Sequence, residues 1–96
     1  MTVYVATFSY AASSQAMSSL RPARYAYFQG LEEEGTLLAS GQLLDGPFGD
    51  GMLVLEAPDE AAARRILAED PFAREGLVGR LDLAAWHPST GAWLRD

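Results

Sequence analysis

Residues 2–9 read TVYVATFS, in which apolar side chains occupy both sets of alternating positions of an extended strand. Tyr4 and Phe8 would point to one face of a sheet, and Val3 and Val5 would point to the other. A strand that is apolar on both faces is stable where both faces of its sheet are covered. The stretch therefore predicts a β-strand in a sheet that needs cover on both sides.

An amphipathic helix is predicted next, after a stretch of small and polar residues at 11–19. We expect it to begin at Leu20 or Arg21, because the proline that follows is tolerated only in a first turn. Ser18 or Ser19 would cap it. Apolar residues then recur at helical spacing, which indicates one buried stripe.

A β-hairpin is predicted after Gly35, which is a natural helix end. Residues 36–44 read as a second strand. The run DGPFGDG at 45–51 is rich in turn-forming residues and returns the chain into a third strand at 52–56. The glycines of this run do not form a phosphate-binding loop, because no helix follows them.

The last part of the chain predicts a second helix and a fourth strand. Residues 58–60 supply a cap and first-turn acids. The buried stripe of this helix is expected to comprise Ala62, Ala63, Ile66 and Leu67. Pro71 interrupts the helix, residues 72–75 form one further turn, and 78–86 form the strand.

The order strand, helix, strand, strand, helix, strand predicts an α+β, ferredoxin-like βαββαβ domain with one antiparallel four-stranded sheet. We expect residues 1–96 to form a single domain. Two helices can cover only one face of such a sheet, yet the strands place apolar residues on both. Monomers rarely expose more than a few hundred Å² of contiguous apolar surface. The sequence therefore predicts a homodimer joined sheet to sheet, a dimeric α/β barrel.

Composition argues against several functions. The 96 residues carry a formal charge of −6, and the basic residues are scattered, so nucleic acid is not an expected partner. The chain has no cysteine and one histidine, so a metal site is not expected. We expect no cofactor. It shows no charged leader and no apolar run of membrane-spanning length, and we predict a cytoplasmic protein without membrane contact.

Two short segments resemble the paired signature of the YCII-related (YciI-like) family, namely RPAR at 21–24 and DPF at 70–72. The similarity extends to EGTLLASG at 34–41, DGPF at 45–48 and GMLVLE at 51–56. The resemblance implies a ferredoxin-like dimer with a small cleft between helix and sheet. In a few relatives it implies elimination or isomerisation chemistry on ring compounds.

The chain departs from this family at Arg24, where the family normally has a histidine that pairs with the aspartate of the second segment, here Asp70. Arginine stays protonated and only donates hydrogen bonds, so it is excluded as a general base. Pairing with it would also keep Asp70 ionised and make that carboxylate a poorer base. Three roles remain open for Arg24: a structural salt bridge, a ligand-anion site, and a solvent-facing side chain.

Asp70 has two interpretations of its own. It continues the buried stripe at a helix end, where a negative charge is disfavoured, so something must compensate it. It could cap the next helical turn, with Pro71 at the first position. It could instead be a carboxylate base in a cleft.

The candidate pocket is bounded by Arg21, Arg24, Ser40, Gly41 and Asp70. In it, Arg21 would close the rim or simply be exposed, and the two small residues of the second strand would form the floor. Several aromatic side chains could line a ring-binding site or belong to the core: Tyr4, Tyr10, Tyr25, Tyr27 and Phe28. The single histidine, His87, would replace the missing family histidine only if the fold brought it near Asp70.

The leading functional hypothesis is a homodimer that binds a small anionic or aromatic ligand with little or no acid/base catalysis. One alternative is a metal-free lyase or isomerase, in which Asp70 moves a proton and Arg24 stabilises an enolate-like oxygen. Another is an accessory module without a ligand, in which Tyr27, Phe28 and Met52 would fill the cavity.

Overall fold

The computed structural model describes residues 1–94. Its elements are, in chain order, β1 (Thr2–Tyr10), α1 (Ser14–Ser18), α2 (Arg21–Glu33), β2 (Leu37–Gln42), β3 (Gly51–Ala57), α3 (Glu60–Ala68), α4 (Pro71–Arg74), β4 (Val78–Trp86) and a 3₁₀ turn at Ala92–Leu94. The four strands form one antiparallel sheet in the order β2-β3-β1-β4. This is the predicted ferredoxin-like arrangement. No described helix is both long enough and apolar enough to cross a bilayer.

The small and polar stretch at 11–19 contains the short helix α1, which the sequence does not predict. The Ser13 hydroxyl caps it by accepting a hydrogen bond from the Ala16 backbone N–H at 3.2 Å. Met17 anchors it because its side chain is buried. The expected cap of α2 is wrong for the same reason. Ser19 already ends α1, so Leu20 precedes α2 without a side-chain cap.

The core lies between the sheet and helices α2 and α3. Tyr4, Ala6 and Phe8 of β1 are buried against it, and Leu53 and Leu55 of β3 join them. The helices contribute Ala62, Ala63 and Leu67 as buried residues and Phe28, Leu31 and Ile66 as partly buried ones. The predicted stripe of α3 therefore faces the sheet as expected.

The opposite face of the sheet carries the other alternating set of β1, including Val3 and Val5. Val5 pairs with Val54 of β3 on one side and with Ala84 of β4 on the other. Trp86, at the end of β4, is 44% exposed. This face is thus apolar at its centre, as the sequence predicts.

Candidate functional site

Arg24 and Asp70 form a buried ion pair between the first turn of α2 and the start of α4. The Arg24 Nε donates to both carboxylate oxygens, at 3.2 Å to Oδ1 and 3.1 Å to Oδ2. Nη2 also lies 3.1 Å from Oδ2, although neither of its N–H bonds points at an acceptor within residues 1–94. The two side chains are 11% and 6% exposed, so water screens the pair poorly.

Asp70 is also the N-cap of α4. Its Oδ1 accepts a hydrogen bond from the Phe72 backbone N–H at 3.0 Å, and Pro71 occupies the first helical position. The structure thus shows the cap and the ion pair together. Both carboxylate oxygens therefore accept hydrogen bonds from protein N–H groups.

Four aromatic rings surround the Arg24 guanidinium. Its central carbon lies 4.3 Å from the ring centroid of Phe72, 4.8 Å from that of Phe28, 5.2 Å from that of Phe8 and 5.5 Å from that of Tyr10. A cation at this distance from ring faces is attracted to their π-electrons. The weakly hydrated guanidinium tolerates such a site better than an ammonium would.

Tyr10 and Asp50 extend the pair toward the hairpin. The Arg24 Nη1 donates to the Tyr10 hydroxyl oxygen at 2.8 Å. The Tyr10 backbone N–H donates to Asp50 Oδ2 at 2.9 Å, and the Asp50 N–H donates to the Phe8 carbonyl at 2.7 Å. The register of β1 shifts between Phe8 and Tyr10, and such irregularities re-aim side chains at the end of a strand. These contacts position the Tyr10 ring.

A cavity of about 410 Å³ opens beside these residues, between α1, α2 and the sheet. Its lining includes four of the five predicted residues, Arg21, Arg24, Ser40 and Gly41, and further residues at Phe8, Tyr10, Ser14, Met17, Phe28, Gln42, Asp50, Met52 and Leu53. Asp70 is not part of the lining. It pairs with Arg24, which does line the cavity, so the predicted boundary at Asp70 needs correction.

The cavity wall carries charges of both signs. Arg21 is exposed and donates from Nη2 to the Ser14 hydroxyl at 3.0 Å. Arg24 is neutralised by Asp70, whereas the Asp50 carboxylate faces the same cavity. From the sequence, Asp50 is predicted only as part of a turn, because its place in the wall depends on the hairpin folding back against β1.

His87 lies away from this site. It follows β4 directly and is exposed, beside the paired residues Val3 and Trp86. Tyr10 pairs with Val78 at the other end of the same strands, about 25 Å away. His87 therefore does not take the place of the family histidine at position 24. Within residues 1–94, no three histidine, aspartate or glutamate side chains converge as a metal site.

Tyr27 provides a pH test of the helix packing beside Asp70. Its hydroxyl donates to the Ile66 carbonyl oxygen. Burial, followed by the charges of Glu69, Asp70 and Glu34, raises its pKa to about 12. Because the ordinary value is 10.0, the unfolded chain loses this proton first, so the stabilisation is complete below pH 10 and is lost as the pH rises toward 12. Replacing Tyr27 by Phe should flatten the alkaline fall of the free energy of unfolding, measured by urea denaturation on both sides of pH 10.

The control for this prediction is Tyr25→Phe on the same helix, where the side chain is 70% exposed. This variant should keep the pH dependence of the wild type. Equal alkaline slopes in the wild type and in Tyr27→Phe would contradict the prediction.

The chain is similar in sequence or in structure to several known proteins. A sequence model of the YCII-related domain matches residues 2–87. No curated protein sequence matches the chain. The structure is similar to that of 5-chloro-2-hydroxyhydroquinone dehydrochlorinase (TftG) from Burkholderia phenoliruptrix AC1100, solved in complex with 2,5-dihydroxybenzoquinone. The two are 19% identical, with a TM-score of 0.74 over 93% of this chain and 96% of that chain.

Two further solved structures are similar. An antibiotic biosynthesis monooxygenase is 18% identical, with a TM-score of 0.55 over 94% of this chain and 100% of that chain. A candidate antibiotic biosynthesis monooxygenase from Deinococcus radiodurans is 20% identical, with a TM-score of 0.57 over 96% of each chain. At these identities the similarity concerns the fold, and it confirms the predicted α+β, ferredoxin-like class.

Proposed function

The chain belongs to the YCII-related domain family, as its sequence predicts, and we propose that it is a single-domain homodimer that binds a small aromatic ring carrying an anionic or hydroxyl oxygen. The ligand lies in the cavity between α1, α2 and the sheet. Asp70 acts in this function through Arg24, which it holds in place. Binding rather than proton transfer is the main task of the site.

The observation that carries this proposal is the cavity wall itself. A volume of about 410 Å³ falls within the range of small-molecule sites, which join apolar and aromatic walls to a few polar groups. Here Phe8, Tyr10 and Phe28 supply rings, while Arg21 and Arg24 supply guanidinium groups. Asp50 adds a negative charge, which favours a ligand with one ionised oxygen over a multiply charged anion.

The chemistry of the ion pair supports the view that the site has little acid/base activity. Arg24 has no lone pair to accept a proton, and Asp70 uses both oxygens as acceptors for protein N–H groups. General acid/base catalysis needs a group within hydrogen-bond reach of the ligand. The cavity does not reach Asp70, so this carboxylate would have to leave its partners to act.

The homodimer is supported by the second face of the sheet. Val5 is partly exposed there and forms adjacent cross-strand pairs with Val54, which is buried, and with Ala84, which is exposed, away from helices α2 and α3. An apolar surface of this kind is more stable against another sheet than against water. A face-to-face pair of sheets would bury it in both subunits.

A metal-free lyase or isomerase is the alternative that one comparison favours. TftG is a dehydrochlorinase of a hydroxylated ring, and its structure is similar over nearly the whole chain. In this alternative Asp70 moves the proton. The accessory module is less favoured, because Phe28 and Met52 line an open cavity rather than fill it and Tyr27 is not part of its wall.

Ligand titration tests the proposed function. Calorimetry and thermal shift with 2,5-dihydroxybenzoquinone and with benzoate should show saturable binding and a raised melting temperature. Arg21→Gln should weaken binding of the ionised probes about tenfold, because a charge-assisted hydrogen bond is lost. Arg64→Gln, which removes an exposed guanidinium on α3, should leave binding unchanged. Failure of both probes to bind would contradict the proposal.

A separate assay distinguishes the enzyme alternative. The chain is incubated with 5-chloro-2-hydroxyhydroquinone, and chloride release is measured against a protein-free sample. Release above that background, abolished by Asp70→Asn in folded protein, would favour the lyase. We expect no release beyond the background.

A further inference from the structure

We infer that the Tyr10 hydroxyl is the hydrogen-bond donor that holds the oxygen of the ring ligand, so that the site selects a phenolate or quinone oxygen. This inference rests on the proposed binding function and names the group that recognises the ligand. Tyr10 lines the cavity, as does its partner Arg24. The sequence indicates Tyr10 only as one of several aromatic side chains that could line a ring-binding site or belong to the core, and it does not single out the hydroxyl.

The Tyr10 hydroxyl can accept hydrogen bonds and donate one. The Arg24 Nη1 donates to the Tyr10 oxygen at 2.8 Å, and a guanidinium has no acceptor to offer in return. The phenolic proton must therefore point elsewhere. Within residues 1–94, no hydrogen bond donated by the Tyr10 hydroxyl is seen. A ligand oxygen in the cavity would satisfy it.

Neighbouring residues hold the Tyr10 phenol in place. Its ring makes edge contacts with Phe8 and Phe72, at centroid distances of 5.6 and 5.8 Å. Its backbone N–H is held by Asp50 at 2.9 Å. A donor whose ring and backbone are both fixed loses little conformational freedom when a ligand binds.

The neighbouring charges strengthen this donor. Asp70 holds Arg24, and Arg24 donates to Tyr10, which forms a continuous chain of hydrogen bonds leading to the cavity. A hydrogen bond accepted from a cation polarises the O–H bond, and the effect is larger in a poorly screened site. The Tyr10 proton therefore suits an oxygen with negative charge, as in a phenolate or a hydroxyquinone anion.

The test uses 4-nitrophenol, whose absorbance reports its ionisation, together with nitrobenzene, the same ring without the hydroxyl. We expect the wild type to bind 4-nitrophenolate at least about tenfold more tightly than nitrobenzene. Tyr10→Phe should weaken 4-nitrophenolate binding about tenfold and leave nitrobenzene binding within about threefold of the wild-type value. Tyr25→Phe, at an exposed position outside the cavity, should change neither affinity.

The outcomes separate the two proposals. If 4-nitrophenol and 2,5-dihydroxybenzoquinone both fail to bind the wild type, the proposed function is wrong and this inference falls with it. If the wild type binds these compounds, the role of Tyr10 alone is overturned by either of two results. Tyr10→Phe could leave the preference for 4-nitrophenolate over nitrobenzene unchanged, or it could weaken binding of 4-nitrophenolate and nitrobenzene equally. Should Tyr10→Phe fail to fold, equal affinities of the wild type for 4-nitrophenolate and nitrobenzene would overturn that role.

Discussion

Asp70→Asn should lower the free energy of unfolding by about 3 to 5 kcal/mol, because it leaves the buried Arg24 guanidinium without its counter-charge. The substitution preserves the shape of the side chain, and asparagine caps helices about as well as aspartate. The loss therefore reports the charge rather than the cap of α4. Urea denaturation followed by circular dichroism measures it.

A surface pair on α3 provides the matched control. Glu60 and Arg64 are also in contact, at 3.1 Å, but their side chains are 63% and 51% exposed. Glu60→Gln makes the same carboxylate-to-amide change and should cost less than about 1 kcal/mol. If Asp70→Asn costs no more than Glu60→Gln, the proposed importance of the buried pair is wrong.

A double-variant cycle then isolates the interaction between the two side chains. Arg24→Met alone leaves the Asp70 carboxylate uncompensated and should be strongly destabilising. In the double variant Arg24→Met with Asp70→Asn, no buried charge remains, so part of the lost stability should return. A coupling energy of about 1 kcal/mol or more between the two sites is expected.

The sequence predicted the elements whose patterns extend over several turns or pairs. The boundaries of β4 at Val78–Trp86 agree with the prediction, and Asp59 caps α3 as expected, with its carboxylate accepting from the Ala62 N–H. The helix α1 was missed because a five-residue segment with a single buried residue, Met17, carries no helical periodicity. The burial of Met17 is a tertiary contact, which the local sequence does not indicate.

The candidate site also has one feature that the sequence predicts and another that it does not. The pairing of Arg24 with Asp70 could be anticipated from the two signature segments, although they lie 46 residues apart. The four rings around the Arg24 guanidinium could not be anticipated, because they come from three different elements. Phe8 and Tyr10 lie on β1, Phe28 on α2 and Phe72 on α4. Each ring alone is consistent with an ordinary core residue. Their convergence on one guanidinium appears only in the folded chain.

The close approach of the hairpin to β1 is another feature that depends on tertiary contacts. A side chain at Gly51 would place its Cβ 2.5 Å from the Phe8 ring. Gly49, with a φ of +107°, allows the turn that brings Asp50 against Tyr10. Gly49 and Gly51 therefore allow the hairpin to lie close to β1, a role that turn propensity alone does not indicate.

Val5→Glu should convert the proposed dimer into a monomer. Val5 lies at the centre of the apolar face, between Val54 and Ala84, and a two-fold interface would carry the new carboxylate twice. Burying unpaired charges costs several kcal/mol each, so the dissociation constant should rise by about 1,000-fold or more. Sedimentation equilibrium measures the constant, while circular dichroism checks that the subunit stays folded.

The same sheet offers a control for its other face. Ala85 pairs with Tyr4 in β1 and is exposed, so Ala85→Glu adds an equal charge on the helix side without entering the proposed interface. Ala85→Glu should remain dimeric. A wild-type monomer at micromolar concentration, or a Val5→Glu variant that dimerises like Ala85→Glu, would contradict sheet-to-sheet pairing.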